Sequence, residues 1–216
     1  MTTKVLLFDL DGTITDPFPG ITGSIRFALR EMGVRVPEAE ELRWCIGPPL
    51  QESLGLLLDT KDPDRIGKAV GLYRERYSAS GVFEATLVAG MAALLGDLQA
   101  VGFRMFVCTS KPHVFADQII AHFGLSAVFE KVYGAEIDGR RSNKADLIAH
   151  ILETEGVQPA EVMMIGDRKH DLIGAKSNNV SAIGVLWGYG DRLELEAESP
   201  FRIVDKPDEI SAILKN

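Results

Sequence analysis

The chain has 216 residues, 46% of them hydrophobic and 25% charged, with a formal net charge of −8. That size and balance suit one large globular domain, or a core domain with an insertion. The negative charge, the lack of any Lys/Arg run and the lack of an apolar stretch of membrane-spanning length argue against a nucleic-acid polymer or a membrane as partner.

The pattern opens on a short apolar run at residues 5–8, VLLF, which reads as a buried strand. Residues 14–20 contain Pro17, Pro19 and Gly20 and read as a linker. From residue 21 to about residue 80 the apolar spacing is helical. Helices are expected over 21–32, 38–45, 50–58 and 64–77, with a stiff break at Gly47-Pro48-Pro49 and no strand. Beyond residue 88 helix and strand alternate. Strands are expected at 105–108, 128–133, 162–165, 180–186 and 202–204, and helices at 91–101, 114–123, 145–155, 172–178 and 208–214. Such alternation predicts an α/β protein with a parallel sheet covered on both faces. The expected organisation is a core of residues 1–16 and 83–216, with an all-helical insertion at 17–82.

Chemistry is concentrated where expected strands end. The first strand runs into Asp9-Leu10-Asp11-Gly12-Thr13. Two carboxylates two residues apart at the end of a buried strand need a partner, and a metal ion is the strongest available. Gly12 permits a sharp turn or a close approach to a ligand. Thr109 and Ser110 follow the second strand and precede a helix; they suit an anion, or simply a helix cap. Lys144 opens a helix, where its charge opposes the macrodipole, so nothing local accounts for it. Asp167 follows another buried strand, with Asp171 four residues on. Four carboxylates at strand ends imply a cation, and hard oxygen ligands suit Mg²⁺. The two cysteines, Cys45 and Cys108, have no metal-ligand spacing. Nothing indicates an oxidising compartment, and the N-terminal pattern is not that of a signal peptide, so a cytoplasmic protein is expected.

Together, Asp9-Leu10-Asp11-Gly12-Thr13, Thr109-Ser110, Lys144 and Gly166-Asp167 with Asp171 resemble the four motifs of the haloacid dehalogenase superfamily, in order and spacing, over nearly the whole chain. The helical insertion is similar to that family's small cap, and the resemblance implies its Rossmann-like core. Residues 166–189 with Gly47-Pro48-Pro49 resemble the phosphoglycolate phosphatase-like group, and within it members described as 5'-nucleotidases.

The resemblance implies a phosphatase of small phosphorylated metabolites, working as a monomer or dimer. Asp9 would be the nucleophile and Asp11 the general acid and base. Gly12, Thr109, Ser110 and Lys144 would contact the transferring phosphoryl group. Asp9, the carbonyl of Asp11, Asp167 and Asp171 would serve Mg²⁺, with Asp171 acting directly, through water or by fixing Lys144. Arg43, Trp44 and Gln51 of the insertion are candidates to read the leaving alcohol. Ser110, Ala145 and Arg168 depart from the residues usual in relatives without removing a core role. Asp11 argues against dehalogenation, which needs no acid there. A sugar-phosphate mutase stays open, and retention of Asp9, Asp11 and Lys144 argues against a non-catalytic binding module.

Overall fold

The computed structural model describes residues 3–214, which fall into two compact units. One comprises the chain up to Asp16 and from Leu87 onward; the other is Pro17–Thr86. The helical unit thus runs to residue 86, four residues past the boundary read from the sequence.

The first unit is built on a six-stranded sheet. In chain order, the strands are β1 (Val5–Phe8), β4 (Arg104–Pro112), β5 (Lys131–Ala135), β6 (Val162–Gly166), β7 (Ser181–Val185) and β8 (Arg202–Val204). Two-residue strands β2 (Thr15–Asp16) and β3 (Thr86–Leu87) lie where the chain leaves and rejoins this unit. The sheet order is β5-β4-β1-β6-β7-β8, and every pairing is parallel. The helices between these strands are α4 (Met91–Val101), α5 (His113–His122), α6 (Lys144–Glu155), α7 (Lys169–Ser177), α8 (Arg192–Glu196) and α9 (Pro207–Leu214).

Because β1 is central, both of its faces are buried. Val5 and Leu7 join Phe106, Cys108 and Met164 in a core closed by Leu147, Ile148 and Ile151 of α6 and Leu172 and Ala175 of α7. Leu6 and Phe8, pointing the other way, are also fully buried. Each such side chain contributes about 1.5–3 kcal/mol of burial free energy. Later strands are added on both sides of β1, so the strand order reverses there. The crevice beyond the carboxyl ends of β4, β1 and β6 is where ligands of open α/β sheets gather.

The helical unit contains α1 (Phe18–Glu31), a 3-10 helix at Glu40–Cys45, α2 (Leu50–Leu57) and α3 (Pro63–Ala79). Ile25, Leu29, Leu42, Leu54 and Tyr77 form its buried centre, whereas Trp44 is 43% exposed and is no part of that core.

The linker reading of residues 17–20 is corrected. Pro17 caps α1 and Pro19 lies in its first turn, where a missing N–H costs nothing. Gly20 is buried and its N–H donates to the Glu84 carbonyl at 3.0 Å. Arg76 bonds the Ser24 hydroxyl at 3.0 Å and the Glu84 carboxylate at 2.9 Å. Residues 17–20 are thus part of the helical unit's own packing. The expected helix over 38–45 is the shorter 3-10 helix, and α8 had no counterpart in the sequence reading.

Candidate active site

Asp9 emerges from the end of β1, and its N–H donates to the Ile165 carbonyl on β6 at 2.9 Å. Its Oδ1 accepts a 2.7 Å bond from the Lys144 ammonium. Lys144 is the first residue of α6, placed there by the Asn143 side chain, which accepts from the Ala145 N–H at 2.8 Å. The ammonium is buried and also donates to Asp171 Oδ1 at 2.5 Å and to the Cys108 carbonyl at 2.7 Å. Here is the reason for a lysine at a helix start: the tertiary charges outweigh the local dipole. Burial works against the Lys144 charge, but Asp171 and Asp9 overcome it and hold the ammonium above its ordinary range. Asp171 takes the Arg168 N–H on its other oxygen, at 3.1 Å. Asp171 is thus an ion-pair partner of Lys144.

β4 does not stop at Cys108. It runs on to Pro112, and α5 begins at His113 without a side-chain cap. Thr109 and Ser110 are strand residues, so the helix-cap reading of them falls. Thr109 is buried, and its hydroxyl accepts from the Lys111 N–H at 3.2 Å. Lys111, passed over in the sequence, reaches across to Asp11 Oδ1 at 2.7 Å. Burial pushes the Asp11 carboxyl up, and Lys111 pulls it back part of the way.

Asp167 is fully buried just beyond β6. Its Oδ2 accepts from the Tyr189 N–H at 2.7 Å, and its Oδ1 lies 3.4 Å from the Thr13 hydroxyl. Trp187 Nε1 donates to the Thr13 carbonyl at 3.0 Å, and the Tyr189 hydroxyl bonds Asp16. The loop after β7 is thus tied to the segment after β1, with Asp167 between them. Two glycines make room for that carboxylate. A Cβ at Gly12, whose φ is +89°, or at Gly188 would each lie 2.3 Å from Asp167 Oδ2.

Asp9, Asp167 and Asp171 each offer a carboxylate oxygen, all within 4.8 Å of one another. The Asp11 carboxylate, engaged with Lys111, is outside this set, so only the Asp11 carbonyl stays open as a ligand. Burial, reinforced by Asp9 and Asp171, pushes the Asp167 carboxyl well above the usual range. Burial also drives Asp171 up to about 6, although Lys144 draws it down. Three buried carboxylates with one lysine fit a divalent cation, which supplies the missing positive charge. Protons compete for the same oxygens, so cation affinity should tighten as pH rises through about 6; titration calorimetry at several pH values measures this. Gly188→Ala should displace Asp167 and weaken cation binding by about 10–100-fold, measurable by the same method.

The structure thus brings Asp9, Lys144, Asp167 and Asp171 together, sets Gly12 against Asp167, and joins Asp11 to Lys111. Ser110 is half-buried at the end of β4. Arg43 lies in the helical unit, its guanidinium 5.4 Å from the Phe18 ring centre and 3.8 Å from Glu40. Arg168 bonds Glu194 of α8 at 2.8 Å. Lys111 and the Trp187–Tyr189 loop are the contributors the sequence reading missed. Two glycines flanking Tyr189 were its available signal.

The family model of haloacid dehalogenase-like hydrolases matches residues 6–185. A 5'-nucleotidase of Pseudomonas aeruginosa is 45% identical over 90% of this chain and 88% of its own length. The tyrosine-protein kinase PtkA of Mycobacterium tuberculosis is 39% identical over 87% of this chain and 63% of its own length. A phosphoglycolate phosphatase of Vibrio parahaemolyticus is 26% identical over 98% of this chain and 96% of its own. The crystal structure of a Clostridium acetobutylicum protein described as a predicted phosphatase superposes with a TM-score of 0.94 at 38% identity, covering 99% of each chain. With the motif residues assembled at the carboxyl ends of β1, β4 and β6, these matches show that the chain belongs to the haloacid dehalogenase-like hydrolase family.

Proposed function

We propose that the protein hydrolyses small phosphomonoesters with Mg²⁺ bound, by way of an aspartyl-phosphate on Asp9. The observation that supports this best is the pairing of Asp9 with the buried Lys144 inside a cluster of carboxylates, with a second carboxylate, Asp11, held two residues on. The carboxylates of Asp9, Asp167 and Asp171 and the carbonyl of Asp11 would hold the ion. When bound, Mg²⁺ neutralises charge on these groups and on the phosphoryl oxygens.

The chain's own residues account for the rest. Asp9 attacks phosphorus, and its C–O–P bond forms as the bond to the leaving alcohol breaks. Asp11 gives a proton to that alcohol. It then takes one from the water that attacks the aspartyl-phosphate, because leaving group and water occupy the same side. Lys144 and the Thr109 hydroxyl, with Gly12 and Ser110 beside them, position the phosphoryl oxygens and stabilise their charge.

The greater identity to the 5'-nucleotidase makes nucleoside 5'-monophosphates the first substrates to test, ahead of phosphoglycolate. In this reading Arg43, Trp44 and Gln51 recognise the leaving alcohol, and Arg43→Ala changes which substrate is preferred. Both cysteines are unpaired thiols, and among the described residues no helix is long and apolar enough to cross a membrane. We place the enzyme in the cytoplasm as a monomer or dimer.

The test is phosphate release across several dozen phosphomonoesters, with Mg²⁺ and with excess EDTA. Release by the wild type that stops on chelation is expected. Full activity in EDTA, or no release from any substrate, sinks the reading. The similarity to PtkA adds one arm, ATP with a tyrosine peptide, in which phosphate on the peptide would replace hydrolysis by transfer.

A further inference from the structure

Two neighbouring strands each present a pair of side chains two residues apart. β1 leads into Asp9 and Asp11, and β4 runs through Thr109 and Lys111. Between Thr109 and Pro112 the register of β4 against β5 shifts, so Lys111 lies in an irregular stretch of the strand. β1 and β4 are parallel neighbours, in register through Phe8 and Val107. Past that register, the irregular end of β4 carries Lys111 to the segment that holds Asp11. Lys111 Nζ lies 2.7 Å from Asp11 Oδ1, and the two side chains are only 7% and 13% exposed.

A lysine is seldom withdrawn from water unless it has a partner. A charge-assisted bond in such a setting is short and directional. The two lysines of the site divide the carboxylates between them: Lys144 takes Asp9 and Asp171, and Lys111 takes Asp11. Lys144 thus serves the attacking side of the reaction. Lys111 serves the side where the alcohol leaves and water enters.

We propose that Lys111 is the positioning residue for Asp11, holding its carboxylate in the orientation from which it meets the leaving oxygen. This rests on the reading of Asp11 as proton carrier. In this role Lys111 acts through Asp11 and not on phosphorus or the leaving atom. Its removal should therefore hurt most the substrates that need a proton delivered to the leaving group. An alkyl phosphomonoester needs it, whereas p-nitrophenyl phosphate expels a stable phenolate without it.

The experiment measures kcat/KM, which reports the phosphorylation step, with the best alkyl substrate and with p-nitrophenyl phosphate. The proteins are wild type, Asp11→Asn, Lys111→Met, Lys111→Arg and the Asp11→Asn/Lys111→Met double variant. Lys111→Met should lose about 10²-fold on the alkyl substrate, as expected when a catalytic group is misplaced by about 1 Å. On the aryl substrate its loss should be several times smaller. Lys111→Arg should recover most of the alkyl activity, and Lys111→Met should add no further loss to Asp11→Asn.

Equal losses on both substrates, or losses that multiply in the double variant, overturn the proposal and make Lys111 a substrate-binding or structural residue. If Lys111→Met does not fold, the double variant, which removes both charges, and Lys111→Arg decide the matter on the same two criteria. The underlying reading fails separately. If Asp11→Asn loses no more on the alkyl than on the aryl substrate, Asp11 is not the proton carrier and both ideas fall. If Asp11→Asn discriminates and Lys111→Met does not, only the positioning role falls.

Discussion

Asp9→Asn is expected to abolish phosphate release while leaving the fold intact. An amide cannot form the acyl phosphate, and loss of a covalent nucleophile costs about 10⁶-fold in a well-studied case, subtilisin. The side chain keeps its shape and its carbonyl oxygen, so it can still accept from Lys144, now 2.7 Å from Asp9 Oδ1. Removing this charge also relieves Asp167 and Asp171, whose carboxyls Asp9 helps to push up. The thermal midpoint of Asp9→Asn without metal should therefore be no lower than that of the wild type. Cation affinity should fall, because one of three anionic ligands is gone. Phosphate release at near wild-type rates would end the covalent mechanism. A collapsed midpoint would mean that Asp9 is a structural charge first.

The sheet was legible because its signals are local. Residues 5–8 are uniformly apolar, and Asp9, Asp11, Thr109 and Asp167 each stand at the end of such a run. Lys144 was identifiable by its motif but not by its reason, which lies 135 residues away in Asp9. Lys111 was missed because a lysine after two hydroxyl residues is ordinarily solvated. The reading also ended the strand at Cys108, and the register shift between Thr109 and Pro112 means that no regular alternation announces where Lys111 goes. Arg168 looked like a mere departure from the motif; its partner is Glu194, on the five-residue helix α8, too short to give a periodic signal. The contact to Asp167 from Tyr189 comes from a backbone N–H, which no side-chain pattern announces. Pro17 and Pro19 misled in the opposite direction. Proline marks linkers, but it also starts helices, and only the packing of Gly20 tells the two apart.

Lys144→Met should be the most damaging substitution to the fold among the site residues. The Lys144 side chain is 4% exposed, and its ammonium lies between Asp9 and Asp171, whose side chains are 11% and 2% exposed. Methionine matches its length but leaves those carboxylates buried without a counter-charge. Removing one partner of a buried ion pair costs about 3–5 kcal/mol. For a protein of this size that corresponds to a midpoint lower by roughly 6–20 °C. The loss depends on pH in a definite direction. The Asp171 carboxyl already sits at about 6 in the wild type, and without Lys144 it rises further. A carboxyl raised in the folded state binds more protons there than in the unfolded chain, so stability falls as pH rises above about 4. The deficit of the variant should accordingly be small near pH 5 and full near pH 8. The Lys144 ammonium stays charged throughout that window, because its own folded value lies above the ordinary one. A divalent cation should restore part of the midpoint, since it supplies positive charge to the same oxygens, but it should not restore turnover, since the phosphoryl group has lost the ammonium that steadies it. Thermal melts at about pH 5 and pH 8, with and without Mg²⁺, make the comparison. A midpoint equal to wild type at pH 8 without metal would show that the carboxylates are not held together by this lysine.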